Sequence, residues 1–389
     1  MRIVVTRQKI HGHPASEYVD LLRERLPDHE VVIADTPEKE RELIRTADVV
    51  TGEGAAAEEH LDEAPSLRLF AGVYAGVGHL DLDAFENAGV AVTNASGVHA
   101  PNISEYVIGA LVSLARDFRR ATRQQDRREW RAYRTRELYD STVTVVGLGA
   151  IGTAVAERLE PFGVETLGVR YTPEKGGPVD EVYGFDDLHE VLARTDHLVL
   201  ACPLTDTTGG LIDREALRTL PPHATLVNIA RGPVVDTDAL VYALRWNQIR
   251  GAFLDVTDPE PLPEDHPLWG LDDARITPHN AGHTPQYFER VADILAGNVE
   301  RLAEDHENAR TLAAGLDEIA GLSAVEPDTN IVLVDTTESG LTAEAFLERC
   351  ADEDVLGSAF GEKVVRFCTH WDVDEAAVAA AVERVESVL

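Results

Sequence analysis

The chain has 389 residues, 69 of them acidic against 35 basic, for a formal net charge of −34. That length gives two or three domains with ample cores, and so acidic a surface argues against non-specific nucleic-acid binding, which needs a basic face to meet phosphates. The excess is spread along the chain and only Lys9, Lys39, Lys175 and Lys363 are lysines, which points to adaptation to high salt rather than to an ordinary acidic cytosolic protein. Cys202, Cys350 and Cys368 are odd in number, widely spaced and without a CxxC pair. They suit a reducing cytoplasm and make neither a disulfide framework nor a metal site. No apolar run approaches membrane-spanning length, and MRIVVTRQKI reads as the start of a strand rather than a signal peptide.

Residues 1–95 alternate strands and helices. Arg2 to Val5, Glu30 to Ala34, Asp48 to Thr51, Leu67 to Gly72 and Val90 to Thr93 read as strands. Helices such as Ala15 to Arg25 and Pro37 to Thr46 lie between them, the pattern of a small α/β unit with a parallel sheet. Within it, Tyr74 to Asp81 (YAGVGHLD) is glycine-rich and follows a strand. Its successive backbone N–H groups can hold a carboxylate; a tight strand–helix turn is the other reading. Ala100 to Phe118 (APNISEYVIGALVSLARDF) is a long apolar helix with Asn102, Ser104 and Glu105 near its start, suited to a hinge, an oligomer contact or both. Arg119 to Arg136 is arginine-rich and expected to be solvated or interfacial.

Val143 to Arg170 reads VTVVGLGAIGTAVAERLEPFGVETLGVR. The apolar run Val143 to Val146 leads into Gly147, Gly149 and Gly152 at G-x-G-x-x-G spacing, then helical periodicity over Ala150 to Leu159 and a second strand over Val164 to Val169. The physics fits a dinucleotide. The first glycine makes the tight turn, the second lets backbone approach a pyrophosphate, and the third packs helix on strand. The N–H groups at the helix start, around Ala150 and Ile151, face the phosphates. Further strands are read at His197 to Ala201, Thr225 to Asn228, Gly251 to Asp255 and Arg275 to Thr277. Helices such as Arg214 to Leu220 and Thr237 to Trp246 complete a doubly wound sheet over about 140–282.

Polar groups follow the last strands: Arg231 after Thr225 to Asn228, Asp255 and Glu260 after the next, and His279 in TPHNAG. Ligands bind at the carboxyl ends of such strands. An arginine, a carboxylate and a histidine there make a set for reducing a 2-oxo acid. The histidine moves the proton on the substrate oxygen, the glutamate orients it, and the guanidinium holds the carboxylate and polarises the carbonyl. Singly, each has a bland reading as a structural histidine or a solvated charge.

The stretches VVGLGAIGTAVAERLEPFG, VLACPLTDTTGGLID, LVNIARGPVVDTDAL, FLDVTDPEPLPEDHPLW and ITPHNAG, in that order, resemble the D-isomer-specific 2-hydroxyacid dehydrogenases over residues 1 to about 300. This group contains the glyoxylate/hydroxypyruvate reductases and phosphoglycerate dehydrogenase. The resemblance implies a flavodoxin-like substrate domain (1–95 with about 284–305) and a Rossmann-type nucleotide domain (96–283). A returning helix is to begin near Pro285. It implies Arg231, Glu260 and His279 as catalytic residues, and the N–H groups of Gly76 and Val77 as holders of the substrate carboxylate. Cys202, Pro203, Thr208, Ala230, Asp255 and Ala281 would line the cofactor site, with Tyr74 and Trp269 shaping the substrate pocket. Such enzymes usually dimerise through the nucleotide domain, which suits the apolar helix at 100–118. One departure concerns the cofactor. Where NAD-binding members carry an aspartate after the second strand, this chain has Arg170, Tyr171 and Thr172. An aspartate repels a 2′-phosphate and an arginine pairs with it, so NADP(H) is expected over NAD(H). A catalytically silent nucleotide sensor on the same fold is the alternative function.

The remaining residues, 306–389, read as a small α+β module. Val299 to Ile319 extends a helix, Thr329 to Asp335 and Lys363 to Thr369 are strands, and Leu341 to Ala351 (starting at Thr342) and Asp374 to Val388 are helices. RLAEDHENARTLAAGLDEI, TNIVLVD, GLTAEAFLERC and RFCTHWDVDEAAVAAAVERV resemble the small domain of the low-specificity threonine aldolases. In that family the arginine matching Arg366 helps bind the amino-acid carboxylate. The aldolase's larger domain, with its cofactor lysine, has no counterpart here, so no pyridoxal phosphate is expected and the segment reads as a fused accessory module.

Overall fold

A computed structural model of the chain describes residues 1–7, 9–10, 12–327, 329–370 and 373–389, with backbone alone at Lys9 and Ile10. Trp371 and Asp372, inside one of the aldolase-like stretches, lie outside the described residues. The chain forms two compact units, one of Met1–Asp20 with His29–Val291 and one of Leu21–Asp28 with Ala292–Leu389.

The first unit contains two parallel sheets. In the smaller, β1 (Arg2–Val5), β2 (Glu30–Ile33), β3 (Val49–Gly52), β4 (Leu69–Gly72) and β5 (Ala91–Thr93) lie in the order β2-β1-β3-β4-β5. The order reverses between β1 and β3, and ligand crevices form at such switch points. Phe70 and Phe85 stack in its core at 5.1 Å, with Val4, Ile44 and Val50 buried around them.

The larger sheet has β6 (Thr142–Val146), β7 (Glu165–Val169), β8 (Glu181–Tyr183), β9 (His197–Leu200), β10 (Thr225–Asn228), β11 (Gly251–Leu254) and β12 (Ala274–Ile276). Their order is β8-β7-β6-β9-β10-β11-β12. Both faces are covered, so strands such as His197–Leu200 are buried throughout. Leu198, Leu200 and Leu226 pack with Leu192, Leu217 and Leu240 on one side. On the other, Val143, Val145 and Val227 meet helix α1 (Ala100–Arg116) and helix α2 (Ala150–Leu159). β8 was not expected from the sequence. It is a three-residue edge strand paired only with β7.

One reading of 100–136 is corrected. The apolar stripe of α1 (Ile103, Val107, Ala110, Leu111, Leu114) covers the nucleotide sheet. The helix ends at Arg116, because Asp117 turns left-handed (φ 50) while its carboxylate is held 2.9 Å from Arg275. A separate charged helix then runs over Phe118–Asp126.

In the second unit β13 (Ser323–Ala324), β14 (Ile331–Asp335), β15 (Ser358–Ala359) and β16 (Val364–Cys368) form an antiparallel sheet in the order β13-β14-β16-β15. Val332, Val334, Val365 and Phe367 face the core. There they meet Leu312 and Leu316 of helix α3 (Tyr287–Asp317), Phe346 and Cys350 of helix α4 (Ala343–Asp352), and Val378 and Val385 of helix α5 (Glu375–Ser387). Thr342 and Asp374 cap the last two helices through the N–H groups of Ala345 and Ala377. Strands β13 and β15, two residues each, are additions to the expected elements. Arg366 lies on the open face of the sheet, its Nε 3.2 Å from Ser358 Oγ. No helix of the described residues is long and apolar enough to cross a membrane.

Candidate active site

The glycine turn lies where the order of the larger sheet reverses, between β6 and β9. Gly147 has φ +97, and a Cβ there would lie 2.6 Å from Cys202 N, so only glycine fits beside the β9 loop. A Cβ on Gly152 would sit 1.9 Å from Gly147 O, which is how closely α2 packs on the turn. Gly149, in contrast, faces open space, and no side chain caps the helix it precedes. The N–H groups at the start of α2, by Ala150 and Ile151, are thus free for an anion. This cradle fits a dinucleotide pyrophosphate. Cys202 is buried, which pushes its thiol up to about 11, so it lines the turn as an inert small residue. Thr208 is also buried; its hydroxyl donates to Pro203 O (2.6 Å) and accepts from Thr205 N (2.8 Å), fixing the loop that presents Pro203.

At the end of β7, Arg170 donates through Nη1 to Gly176 O at 2.6 Å, and its backbone N–H joins Tyr183 O of β8. The loop between them holds exposed Tyr171, half-buried Thr172 and, on a short 3-10 turn, Lys175. Lys175 was not singled out from the sequence, although its rarity in this chain was a signal.

Arg231 follows β10. Asn228, buried at the strand end, clamps the turn by accepting from Ala230 N (3.0 Å) and donating to Arg231 O (3.1 Å). Arg231 Nη1 donates to Ala230 O at 2.7 Å. Gly232 is pressed against the next loop: a Cβ there would meet Thr257 O at 2.0 Å. That loop carries Glu260, whose Oε1 accepts from Thr257 N (3.1 Å) and whose Oε2 lies 3.1 Å from His279 Nδ1. With the carboxylate accepting, Nδ1 carries the hydrogen and Nε2 is left for chemistry; among the described residues it has no partner. His279 itself sits left-handed (φ 52), a conformation of modest cost for histidine, held by its N–H to Asp255 O at 2.8 Å.

Asp255 is the hub of this end of the sheet. Its buried carboxylate accepts from Tyr106 OH (3.2 Å), Thr277 Oγ1 (2.7 Å), Asn280 N (3.1 Å) and Ala281 N (2.9 Å). Three of these donors meet Oδ1 and one meets Oδ2, so the side chain holds the His279 loop in place. Ala281 O in turn accepts from Asn102 Nδ2 at 2.8 Å, and Arg290 donates to Asn102 Oδ1 (3.0 Å) and Val98 O (2.9 Å). Asn102 therefore ties together the two chain crossings between the sheets. The helix after His279 begins at Tyr287, and Tyr287 OH donates to Val73 O of the smaller domain.

After β4, Asn94 Nδ2 pins Ala75 O (2.7 Å) and Ala95 N pins Tyr74 O (3.0 Å), shaping the YAGVGHLD loop. No acceptor among the described residues takes the N–H of Gly76 or Val77. Tyr74 donates its hydroxyl to Glu53 Oε1 at 3.1 Å; partial burial, then the Glu53 charge, raises its pKa. Trp269 is half-exposed on the turn beyond Glu260, its Nε1 anchored to Pro263 O at 2.8 Å. The structure thus joins Glu260 directly to His279 and packs the turn after Arg231 on the Glu260 loop. Trp269 makes no hydrogen bond to any of the three. Among the described residues no group of three or more His, Cys, Asp or Glu side chains is arranged for a metal ion.

Residues 108–281 match the model of the D-isomer specific 2-hydroxyacid dehydrogenase NAD-binding domain. A glyoxylate reductase of Thermofilum pendens is 38% identical over 251 residues, 62% of this chain and 73% of that one. A D-3-phosphoglycerate dehydrogenase of Methanocaldococcus jannaschii is 32% identical over 294 residues, 74% of this chain and 56% of the longer relative. Among solved structures, a family protein of Aeromonas salmonicida superposes with a TM-score of 0.66 at 32% identity, covering 78% of this chain and 96% of its own. The chain belongs to the D-isomer-specific 2-hydroxyacid dehydrogenase family, oxidoreductases that act on a CH–OH group with a nicotinamide cofactor.

Proposed function

We propose that this protein interconverts a small 2-oxo acid and its D-2-hydroxy acid, as a reductase of the glyoxylate/hydroxypyruvate kind that prefers NADP(H). The observation that carries this reading is the His279–Glu260 pair at 3.1 Å, with Nε2 of the histidine unclaimed. A bound nicotinamide supplies the hydride. The N–H groups of Gly76 and Val77 take the substrate carboxylate, and Arg231 polarises the carbonyl. His279 gives the Nε2 proton to the carbonyl oxygen, while Glu260 stabilises the imidazolium beforehand and fixes its orientation. In the oxidation direction the same nitrogen removes the hydroxyl proton. Gly147, Gly149 and Gly152 hold the pyrophosphate at the start of α2, and Arg170 with Lys175 receives the 2′-phosphate.

The test is NADPH oxidation with glyoxylate, hydroxypyruvate, pyruvate and phenylpyruvate. At least one is reduced, and His279→Ala lowers kcat about 10²- to 10⁴-fold. Tight NADPH binding with no turnover of any of them would favour the rival reading, a silent sensor. Full activity in His279→Ala would refute the mechanism.

The C-terminal module is read as an accessory domain fused from the threonine-aldolase lineage, supported by the stretches around Arg366. It carries no pyridoxal-phosphate chemistry; a cofactor absorbance band with threonine cleavage would overturn this. A homodimer through the nucleotide domain is the assembly expected from the family resemblance, which light scattering checks. The spread negative charge supports a salt-adapted cytoplasmic protein, more stable in molar salt than in dilute buffer.

A further inference from the structure

The loop after β3 brings an acidic group against Tyr74, two residues before Gly76. Glu53 follows β3 directly, and its Oε1 accepts the Tyr74 hydroxyl at 3.1 Å. His79 Nε2 lies 3.1 Å from Glu53 O, and the His79 and Tyr74 rings meet edge-on at 5.8 Å. Gly54 packs so tightly on Leu80 that a Cβ there would lie 2.2 Å from its side chain. The loops after β3 and β4 are therefore locked together, and Glu53 is held in position. Tyr74 stands two residues before Gly76, no more than about 7 Å of extended chain.

Among the described residues no Arg, Lys or His side chain pairs with the Glu53 carboxylate, and Tyr74 is its one hydrogen-bond donor. A carboxylate has about four acceptor sites, so Glu53 keeps acceptor capacity on the open side of the loop. A negative charge with spare acceptors attracts a donor and repels an anion.

We infer that Glu53, oriented by Tyr74, selects the side chain of the substrate: a 2-oxo acid whose C3 carries a hydroxyl, and not one whose C3 carries a phosphate or a second carboxylate. The inference rests on the reading that Gly76 and Val77 hold the substrate carboxylate. With that end fixed and the carbonyl turned to His279, the C3 group is left for the Tyr74–Glu53 side. The hydroxyl of hydroxypyruvate donates to the free Glu53 oxygen. Glyoxylate leaves that acceptor unmet, and 3-phosphohydroxypyruvate sets two like charges together.

The experiment compares kcat/KM for hydroxypyruvate, glyoxylate and 3-phosphohydroxypyruvate in the full-length protein and its Glu53→Gln, Glu53→Lys and Tyr74→Phe variants. In the unmodified protein hydroxypyruvate leads and the phosphorylated acid is poorest. Glu53→Gln lowers the hydroxypyruvate-to-glyoxylate ratio about tenfold or more, the worth of a hydrogen bond to a charged acceptor. Tyr74→Phe lowers it less, by releasing the carboxylate. Glu53→Lys raises the rate on 3-phosphohydroxypyruvate relative to hydroxypyruvate. Unchanged melting temperatures separate these effects from misfolding, since Glu53 is exposed. Turnover with ratios unmoved by all three variants overturns this inference alone. Best activity on the phosphorylated acid in the unmodified protein also overturns it, and no turnover of any acid overturns it together with the proposed function.

Discussion

Gly232→Ala is the sharpest probe of how the site is assembled. The added Cβ would lie 2.0 Å from Thr257 O, 2.2 Å from Thr257 C and 2.7 Å from Asp258 N. All three are backbone atoms, so no rotamer change relieves the clash. Ordinary contact requires the Arg231 turn and the Glu260 loop to part by about 1.5 Å. The displacement falls on the proposed catalytic pair, because Arg231 is the preceding residue and Glu260 is tied to Thr257 N at 3.1 Å. A misplacement near 1 Å costs about 10²-fold in rate, or about 2.7 kcal/mol of barrier. Overpacking of this kind costs about 1–3 kcal/mol of stability as well. The assay is steady-state reduction of the best oxo acid, with thermal unfolding of the same preparation. The expected outcome is kcat reduced about a hundredfold. Gly232→Ala at full rate and unchanged melting temperature would refute the idea that this contact sets the distance between Arg231 and Glu260.

Three further outcomes can be checked. Arg170→Asp should raise the KM for NADPH about tenfold or more while lowering that for NADH, by replacing a phosphate partner with a ribose acceptor; an unchanged preference refutes the cofactor assignment. His197 is buried against Thr225 at 2.7 Å, and burial depresses its pKa to about 4. Its neutral form is therefore favoured by folding, and stability falls as pH drops from about 6.5 toward 4, because the unfolded chain takes up a proton that the folded one refuses. The loss amounts to about 3 kcal/mol. Urea unfolding between pH 7.5 and 5 should show this slope flattened in His197→Asn, and parallel curves would remove His197 as its source. Gly109→Ala, in α1 with open space at its Cβ position, should stabilise by about 0.5–1 kcal/mol in thermal melts; a loss of stability would mean that another surface covers that face.

The parts of this protein legible in the sequence are those whose chemistry lies within a short contiguous stretch. Gly147, Gly149 and Gly152 state their own turn, and Thr342 and Asp374 mark helix starts through side chains that reach three residues ahead. Arg231, Glu260 and His279 could be read because each follows an apolar strand, and strands end where ligands bind. What could not be read is set by residues far apart in the chain. Strand β8 is three residues with no alternation long enough to notice, and it exists only because β7 offers an edge. The break at Asp117 depends on Arg275, and the fit of Gly232 depends on Thr257. Glu53 looked like one acid among many until the fold set it beside Tyr74. The apolarity of α1 was visible, but whether a sheet or a second chain absorbs it is a tertiary fact.

Asp255 shows why the loop carrying His279 can be short and still hold a left-handed histidine. Two backbone amides, a threonine and a tyrosine converge on one buried carboxylate, and its own carbonyl takes the His279 N–H at 2.8 Å. The four bonds to the carboxylate have their acceptor out of water, where such bonds are strong and an unmet charge is costly. The left-handed backbone at His279 costs less than releasing any of these donors, so the strain persists. The same carboxylate fixes Ala281, whose carbonyl Asn102 grips at 2.8 Å while Arg290 grips Asn102 in turn. One continuous set of hydrogen bonds therefore runs from His279 to both crossings between the sheets. A motion that opened the cleft at those crossings must either carry the His279 loop with it or break one of the hydrogen bonds that Asn102 makes to Ala281 O and accepts from Arg290.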